Sequence, residues 1–339
     1  MNAISKEPEL PRGSVVITDH VKDWSIAREV LGDALGNRLN AETRVAVVWR
    51  HRVDGAFLSV HPRIRGVVRY GVGFDNIDVE AASRHGVVAC NNPAYGVDEV
   101  ADTAVAMAFA LVRGILKYDE IARKLPANWQ QNMQATIRRT NRTMVGIVGA
   151  GRIGGAALLK FKALGFQAQF FDPYVPSGHE KMLGSRRAET LASLLEECDV
   201  VSLHTPLNAE TAGFVDRSFV EAMKPGAILV NTSRGGVVRE LDVIADALEG
   251  GRLGAVGFDV MPEEPPQLNS LIKAWQCRLP WIVGRCIINP HTAYYSVESQ
   301  VEMHRLAAET AKYILLGKWP PNALNPEIRA QWLRDGGRG

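Results

Sequence analysis

Short β-branched runs alternate with longer helical stretches along almost the whole chain. The first runs are Val15 to Ile17, Val45 to Trp49, Gly66 to Tyr70 and Val87 to Cys90, with long segments between them. A parallel pair needs a crossover of roughly a dozen residues, so this spacing predicts parallel strands joined by helices. Val97 to Arg113 lacks Gly and Pro, is rich in Ala and carries Met107, Phe109 and Leu111, which predicts a long buried helix that ends the first unit. Lys124 to Arg142 is polar and irregular and reads as a connector.

From Thr143 the alternation restarts. Strands are predicted at Val145 to Val148, Gln167 to Phe171, Val200 to Leu203, Ala227 to Val230, Ala255 to Phe258 and Cys286 to Ile288. Helices are predicted at Ile153 to Leu164, Leu191 to Glu197, Arg217 to Met223 and Leu241 to Leu248. Two such series in succession predict an α/β chain of two doubly wound parallel-sheet domains. Substrate is then expected where strand C-termini of the two lobes face each other.

Composition narrows the function classes. The 39 Lys and Arg against 37 Asp and Glu leave a net charge of +2, which does not make nucleic acid the expected partner. The start MNAISKEPEL lacks a basic, then apolar, leader pattern, and the run Ala104 to Val112 is about half the length of a membrane span, so a cytoplasmic protein without membrane association is expected. Cys90, Cys198, Cys277 and Cys286 form no C-x-x-C pair and read as reduced thiols, mostly in the core, with no metal site implied.

The chemistry starts at Gly149-Ala150-Gly151-Arg152-Ile153-Gly154, which follows an apolar strand and opens a helix. In that context Gly149 permits a tight turn, Gly151 lets pyrophosphate approach the backbone, and Gly154 lets helix pack on strand, with Arg152 and Ile153 at the helix start. The helix N-terminus offers N–H donors and partial positive charge to the phosphates. The next strand ends in Asp172, 18 residues beyond Gly154, where an acid accepts from ribose hydroxyls and repels a 2′-phosphate. No Arg follows at Pro173-Tyr174, so NAD is expected over NADP.

Ionisable residues also follow later strands. Arg234 lies in Asn231-Thr232-Ser233-Arg234-Gly235-Gly236; Asp259, Glu263 and Glu264 follow the Ala255 run; His291 follows Asn289-Pro290. An Arg to anchor a carboxylate, a His to move a proton and an acid to hold the imidazole suit hydride transfer to a 2-keto acid. Spacing alone leaves each of these open to a structural reading, and His204 is a rival histidine without an adjacent Arg or acid.

Together with Gly71-Val72-Gly73-Phe74-Asp75-Asn76-Ile77-Asp78 and Asn289-Pro290-His291-Thr292, these segments resemble the D-isomer-specific 2-hydroxyacid dehydrogenase family over about Val45 to Leu324. Arg69 to Asp78 and Pro290 to Ser296 are most similar to its C-terminal-binding-protein branch, which contains NAD-sensing transcriptional co-repressors as well as enzymes. The resemblance implies a Rossmann NAD-binding domain, residues 114–290, inserted into a flavodoxin-like substrate domain of residues 1–113 and 291–339.

It also implies roles. Arg234, Glu264 and His291 become the catalytic set, with Arg69, the backbone at Val72 and Gly73, and Tyr294 at the substrate. Thr103 is expected near the pyrophosphate. Tyr174, Thr205, Pro206, Thr232, Ser233, Asp259 and His291 join the glycine turn and Asp172 around NAD. A homodimer through the NAD-binding domain is the family expectation.

Two departures stand out. Glu264 and His291 are 27 residues apart, more than the family usually has, and this leaves Glu263 as a rival acid; Tyr294 stands where the co-repressor branch has a Trp. The leading expectation is an NAD-dependent oxidoreductase interconverting a small 2-keto acid and its D-2-hydroxy acid. The alternative is an NAD-sensing, protein-binding dimer with little turnover.

Overall fold

The β-branched runs of the first third become the parallel strands β1 (Val15–Ile17), β3 (Val45–Val48), β4 (Gly66–Arg69) and β5 (Val88–Cys90), with a two-residue β2 (Leu35–Gly36) at the edge. These are strands of a computed structural model that describes residues 9–19, 23–134 and 136–335. Their order is β2-β1-β3-β4-β5, the flavodoxin-like order. All side chains of β1, β3 and β5 are buried, as expected of a parallel sheet covered on both faces. Asp54 and Asp78 start the crossover helices Gly55–Val60 and Val79–Arg84 by accepting from the N–H groups of Phe57 and Ala81. After a long excursion the chain returns as helix Val297–Leu315, which packs on β3, β4 and helix Ser25–Leu31.

The excursion is the second unit. Its strands are β6 (Met144–Val148), β7 (Gln167–Phe171), β8 (Arg186–Arg187), β9 (Val200–Leu203), β10 (Ala227–Asn231), β11 (Leu253–Phe258) and β12 (Cys286–Ile288). All are parallel, in the order β12-β11-β10-β9-β6-β7-β8. Read from β8, this is the Rossmann order extended by one strand, with the switch point between β6 and β9.

The chain divides as Met1–Tyr95 with Ser296–Gly339, and Gly96–Tyr295, rather than at 113/114 and 290/291. Helix Val97–Val112, expected to end the first unit, lies in the second because its Ala-rich buried face packs on helix Arg152–Ala163 and on β10 and β11. Helix Ile115–Arg123 precedes the connector, which holds two short 3-10 turns, Trp129–Gln131 and Thr140–Arg142. No helix among the described residues is long and apolar enough to cross a membrane. Cys90, Cys198 and Cys286 are buried and Cys277 is exposed; burial pushes the Cys198 thiol up to about 11 and the Cys286 thiol up to about 12.

Candidate active site

The glycine turn leaves β6 at the switch point. Gly149 has φ +89°, a left-handed conformation that a side chain strains. A Cβ on Gly154 would lie 1.9 Å from the Gly149 carbonyl oxygen and 3.1 Å from His204 Cβ, so only glycine lets turn, helix and β9 approach this closely. A Cβ on Gly151 would meet nothing within 4 Å, which leaves open space above the turn. The 12-residue helix Arg152–Ala163 begins there, with Arg152 and Ile153 as its first residues and no side chain capping its N-terminus. Its free first-turn N–H groups suit a phosphate.

Asp172 stands at the end of β7, where its two carboxylate oxygens accept from the N–H groups of Ala150 and Tyr174, both at 2.8 Å. Tyr174 is exposed, and its hydroxyl donates to Glu210. Two buried hydroxyls follow the next strands: Thr205 Oγ1, just after β9, and Thr232 Oγ1, just after β10, have no hydrogen-bond partner among the described residues. Buried hydroxyls are rarely left unpaired, so these two, at the C-terminal ends of β9 and β10 in the sheet that carries the glycine turn, fit the polar atoms of a dinucleotide. Pro206 O accepts from Thr211. Thr103 turns its hydroxyl toward Ala293 O, at 3.5 Å.

The second cluster grows from the ends of β10, β11 and β12. Buried Asp259 follows β11 and accepts from the N–H groups of Thr292 (2.9 Å) and Ala293 (3.0 Å), while its carbonyl accepts from His291 N (2.8 Å). These bonds hold His291 at φ +55°, a backbone state few non-glycine residues adopt and one found at functional sites. The ring then meets Glu264: His291 Nδ1 donates to Glu264 Oε2 at 2.7 Å. Glu264 Oε1 accepts from Met261 N at 3.2 Å, so Glu264 rather than Glu263 is the acid that the fold brings to His291. Tyr294 meets the imidazole edge-on, 6.3 Å between centroids.

The electrostatics follow this geometry. Burial pushes the Glu264 carboxyl up, but the His291 hydrogen bond and charge, the Met261 N–H and the Arg234 charge outweigh it and hold it below the usual carboxylate value. Burial dominates at Asp259 and raises its carboxyl despite the two backbone donors.

Arg234 is placed by Asn231, whose Nδ2 donates to Arg234 O (2.9 Å) and whose Oδ1 accepts from Ser233 N and Oγ. Arg234 Nη1 donates to Ser233 O at 3.0 Å. Gly235 then lies against the backbone of Met261: a Cβ there would be 1.8 Å from Met261 O. That close approach brings the Arg234 loop beside the Met261–Glu264 segment.

His204 stands apart from this chemistry. Its Nε2 bonds Ser202 Oγ at 2.9 Å, and burial holds its pKa down to about 4, so it is neutral and supports the glycine turn. In the unfolded chain a histidine titrates near 6.5, so unfolding takes up a proton between these values. The stability this neutral ring contributes is complete above about pH 6.5 and is lost as pH falls toward 4, a change on the order of 3 kcal/mol. Urea midpoints measured from neutral pH to pH 4 are expected to fall more steeply for the native chain than for His204→Asn; parallel curves would refute this account.

Sequence reading missed His179, whose Nε2 donates to Ala150 O at 2.8 Å and braces the glycine turn from helix His179–Leu183. The stretch between Glu264 and His291 contains helix Ser270–Gln276, capped by Asn269, which packs on helix Leu241–Glu249; its Leu271, Ile272 and Ala274 are buried in the unit's core. Arg69, Val72 and Gly73 belong to the first unit. There Arg69 ends β4 and Val72 and Gly73 follow it, with Val72 O accepting from Asn91 Nδ2 at 2.5 Å.

Comparison with known proteins agrees with this layout. Residues 105–293 match the family model described as D-isomer specific 2-hydroxyacid dehydrogenase, NAD binding domain. The chain is 33% identical to a glyoxylate reductase of Korarchaeum cryptofilum over 323 residues, covering 94% of this chain and 88% of that protein. It is 33% identical over 273 residues to the D-3-phosphoglycerate dehydrogenase of Mycobacterium tuberculosis, covering 80% of this chain but spanning about half, 49%, of that relative's length. A crystal structure of D-lactate dehydrogenase from Aquifex aeolicus, complexed with NAD and lactic acid, superposes with a TM-score of 0.81 at 26% identity, covering 91% of this chain and 98% of that one.

Proposed function

Because this chain belongs to the D-isomer-specific 2-hydroxyacid dehydrogenase family, we propose that it interconverts a small 2-keto acid and its D-2-hydroxy acid with His291 as the acid and base. The observation that carries the reading is the 2.7 Å bond from His291 Nδ1 to Glu264. With Nδ1 bound there, Nε2 is the nitrogen left to exchange a proton with substrate.

The glycine turn, Asp172, Thr205 and Thr232 hold the dinucleotide, and its nicotinamide supplies hydride chemistry when bound. In reduction, His291 Nε2 gives its proton to the carbonyl oxygen; in oxidation it takes the hydroxyl proton. The ionised Glu264 stabilises the imidazolium and keeps the ring in one tautomer. Arg234 pairs its guanidinium with the substrate carboxylate and polarises the carbonyl. A protein that only sensed the dinucleotide would have no use for a proton-transfer pair, which favours turnover over the binding-only alternative.

The experiment is a screen of 2-keto acids of varied size and charge with NADH and NADPH, on the native chain and Asp172→Asn. Turnover with NADH on at least one acid is expected. Neutralising Asp172 removes a charged acceptor and a repulsive charge, so the NADH preference should narrow by at least about tenfold. Absence of turnover on every acid with either cofactor would overturn the proposal.

A further inference from the structure

At the N-terminal end of β4, the end opposite Arg69, the first unit contains a cavity of about 170 Å³. Arg65, Arg84, His85, Gln331, Trp332 and Asp335 line it. The walls come from three places: the residue before β4, the turn between helix Val79–Arg84 and β5, and the helix Arg329–Arg334. They are fixed to one another. Buried Asn325 donates to Val87 O (2.9 Å) and accepts from Ala89 N (3.0 Å), and Trp332, 3% exposed, donates its indole N–H to Arg65 O at 3.3 Å.

Charge inside the cavity is unbalanced. Arg65 lines this space, and its buried Nε has no hydrogen-bond partner among the described residues. A buried guanidinium N–H without an acceptor is costly and rare. Arg84 has only a loose contact with Glu80, 3.8 Å between exposed side chains, which binds it weakly. His85 and Asp335 also line the cavity.

Two arginines, one just before β4 and one at the end of helix Val79–Arg84, line a space of this size, and guanidinium groups suit a tetrahedral oxyanion. We propose that this cavity is a phosphate-binding site, taking inorganic phosphate or the phosphate of a small monoester. The bound anion bridges the start of β4, the turn at Arg84 and the C-terminal helix, so it clamps that helix to the first unit's sheet. The site shares no residue with the glycine turn or the His291–Glu264 pair.

The test is calorimetric titration of the full chain with inorganic phosphate and with glycerol phosphate, at constant ionic strength and saturating NADH so that the dinucleotide turn is occupied. Arg65→Gln and Arg84→Gln are titrated alongside. Both variants are expected to weaken binding at least about tenfold, the loss of one charge-assisted hydrogen bond, with NADH affinity unchanged. Hydrogen exchange across Arg329–Arg334 should slow with phosphate in the native chain only. Tighter binding of the free ion or of the ester identifies which form the site takes. If Arg65→Gln does not fold, exposed Arg84 carries the test. Equal binding by native chain and variants, or exchange protection confined to other segments, would overturn the proposal.

Discussion

A His291→Gln variant is expected to lose roughly 10²- to 10⁴-fold in kcat for keto-acid reduction, the usual contribution of a positioned acid or base, while NADH affinity stays near the native value. Glutamine keeps a donor near Glu264 but cannot deliver a proton and be restored at neutral pH. The ring sits on a backbone held by Asp259 through three N–H contacts, so the substitution leaves the loop's anchoring bonds in place. Glu264→Gln separates charge from geometry. It keeps an acceptor for Nδ1–H but removes the negative charge, so the alkaline limb of the pH–rate profile for reduction, where His291 loses the proton it must donate, should move to lower pH. Steady-state kinetics with tritrated or fluorescent NADH binding as a control would check both variants. Native-like kcat in His291→Gln would remove the imidazole from the mechanism.

Gly235→Ala is expected to be nearly as damaging although it touches no reacting group. The added methyl would lie 1.8 Å from Met261 O and 1.9 Å from Met261 C, so two backbone segments must part. Met261 N holds Glu264, and Gly235 directly follows Arg234; the displacement therefore moves both partners of the site. Forcing a methyl into packed backbone costs about 2 to 3 kcal/mol, and misplacement near 1 Å can reduce turnover about 10²-fold. Gly151→Ala provides the contrast, because its methyl meets nothing within 4 Å. It should keep the native melting temperature while weakening NADH binding. Equal melting temperatures for Gly235→Ala and the native chain would show that the Met261 contact relaxes freely.

Much of the fold was legible because both sheets are parallel and covered on both faces. Such strands need continuous apolar runs, and Val45–Val48 and Val200–Leu203 are buried at every position. The two-residue edge strands Leu35–Gly36 and Arg186–Arg187 carry no such run and could not be read. The assignment of helix Val97–Val112 was equally hidden: its apolar pattern shows that one face is buried, not which sheet buries it. In the candidate site, Gly149 to Gly154 and Asp172 could be found because strand, turn, helix and acid are consecutive in the chain. His179 gave no comparable signal, since it acts through a single backbone carbonyl, that of Ala150, which only folding brings within reach.

The linear chain by itself determined the alternation of strands and helices, the glycine turn, and which residue types were candidates for proton transfer and carboxylate binding, because local periodicity and consecutive motifs survive without long-range contacts. Only the tertiary structure decided that Glu264 rather than its neighbour Glu263 meets His291, that His204 is a neutral support, and that Gly235 must pack against Met261. Those outcomes depend on contacts between residues 26 or more positions apart in the chain, or on the direction in which adjacent side chains leave the backbone. Composition and periodicity carry neither quantity.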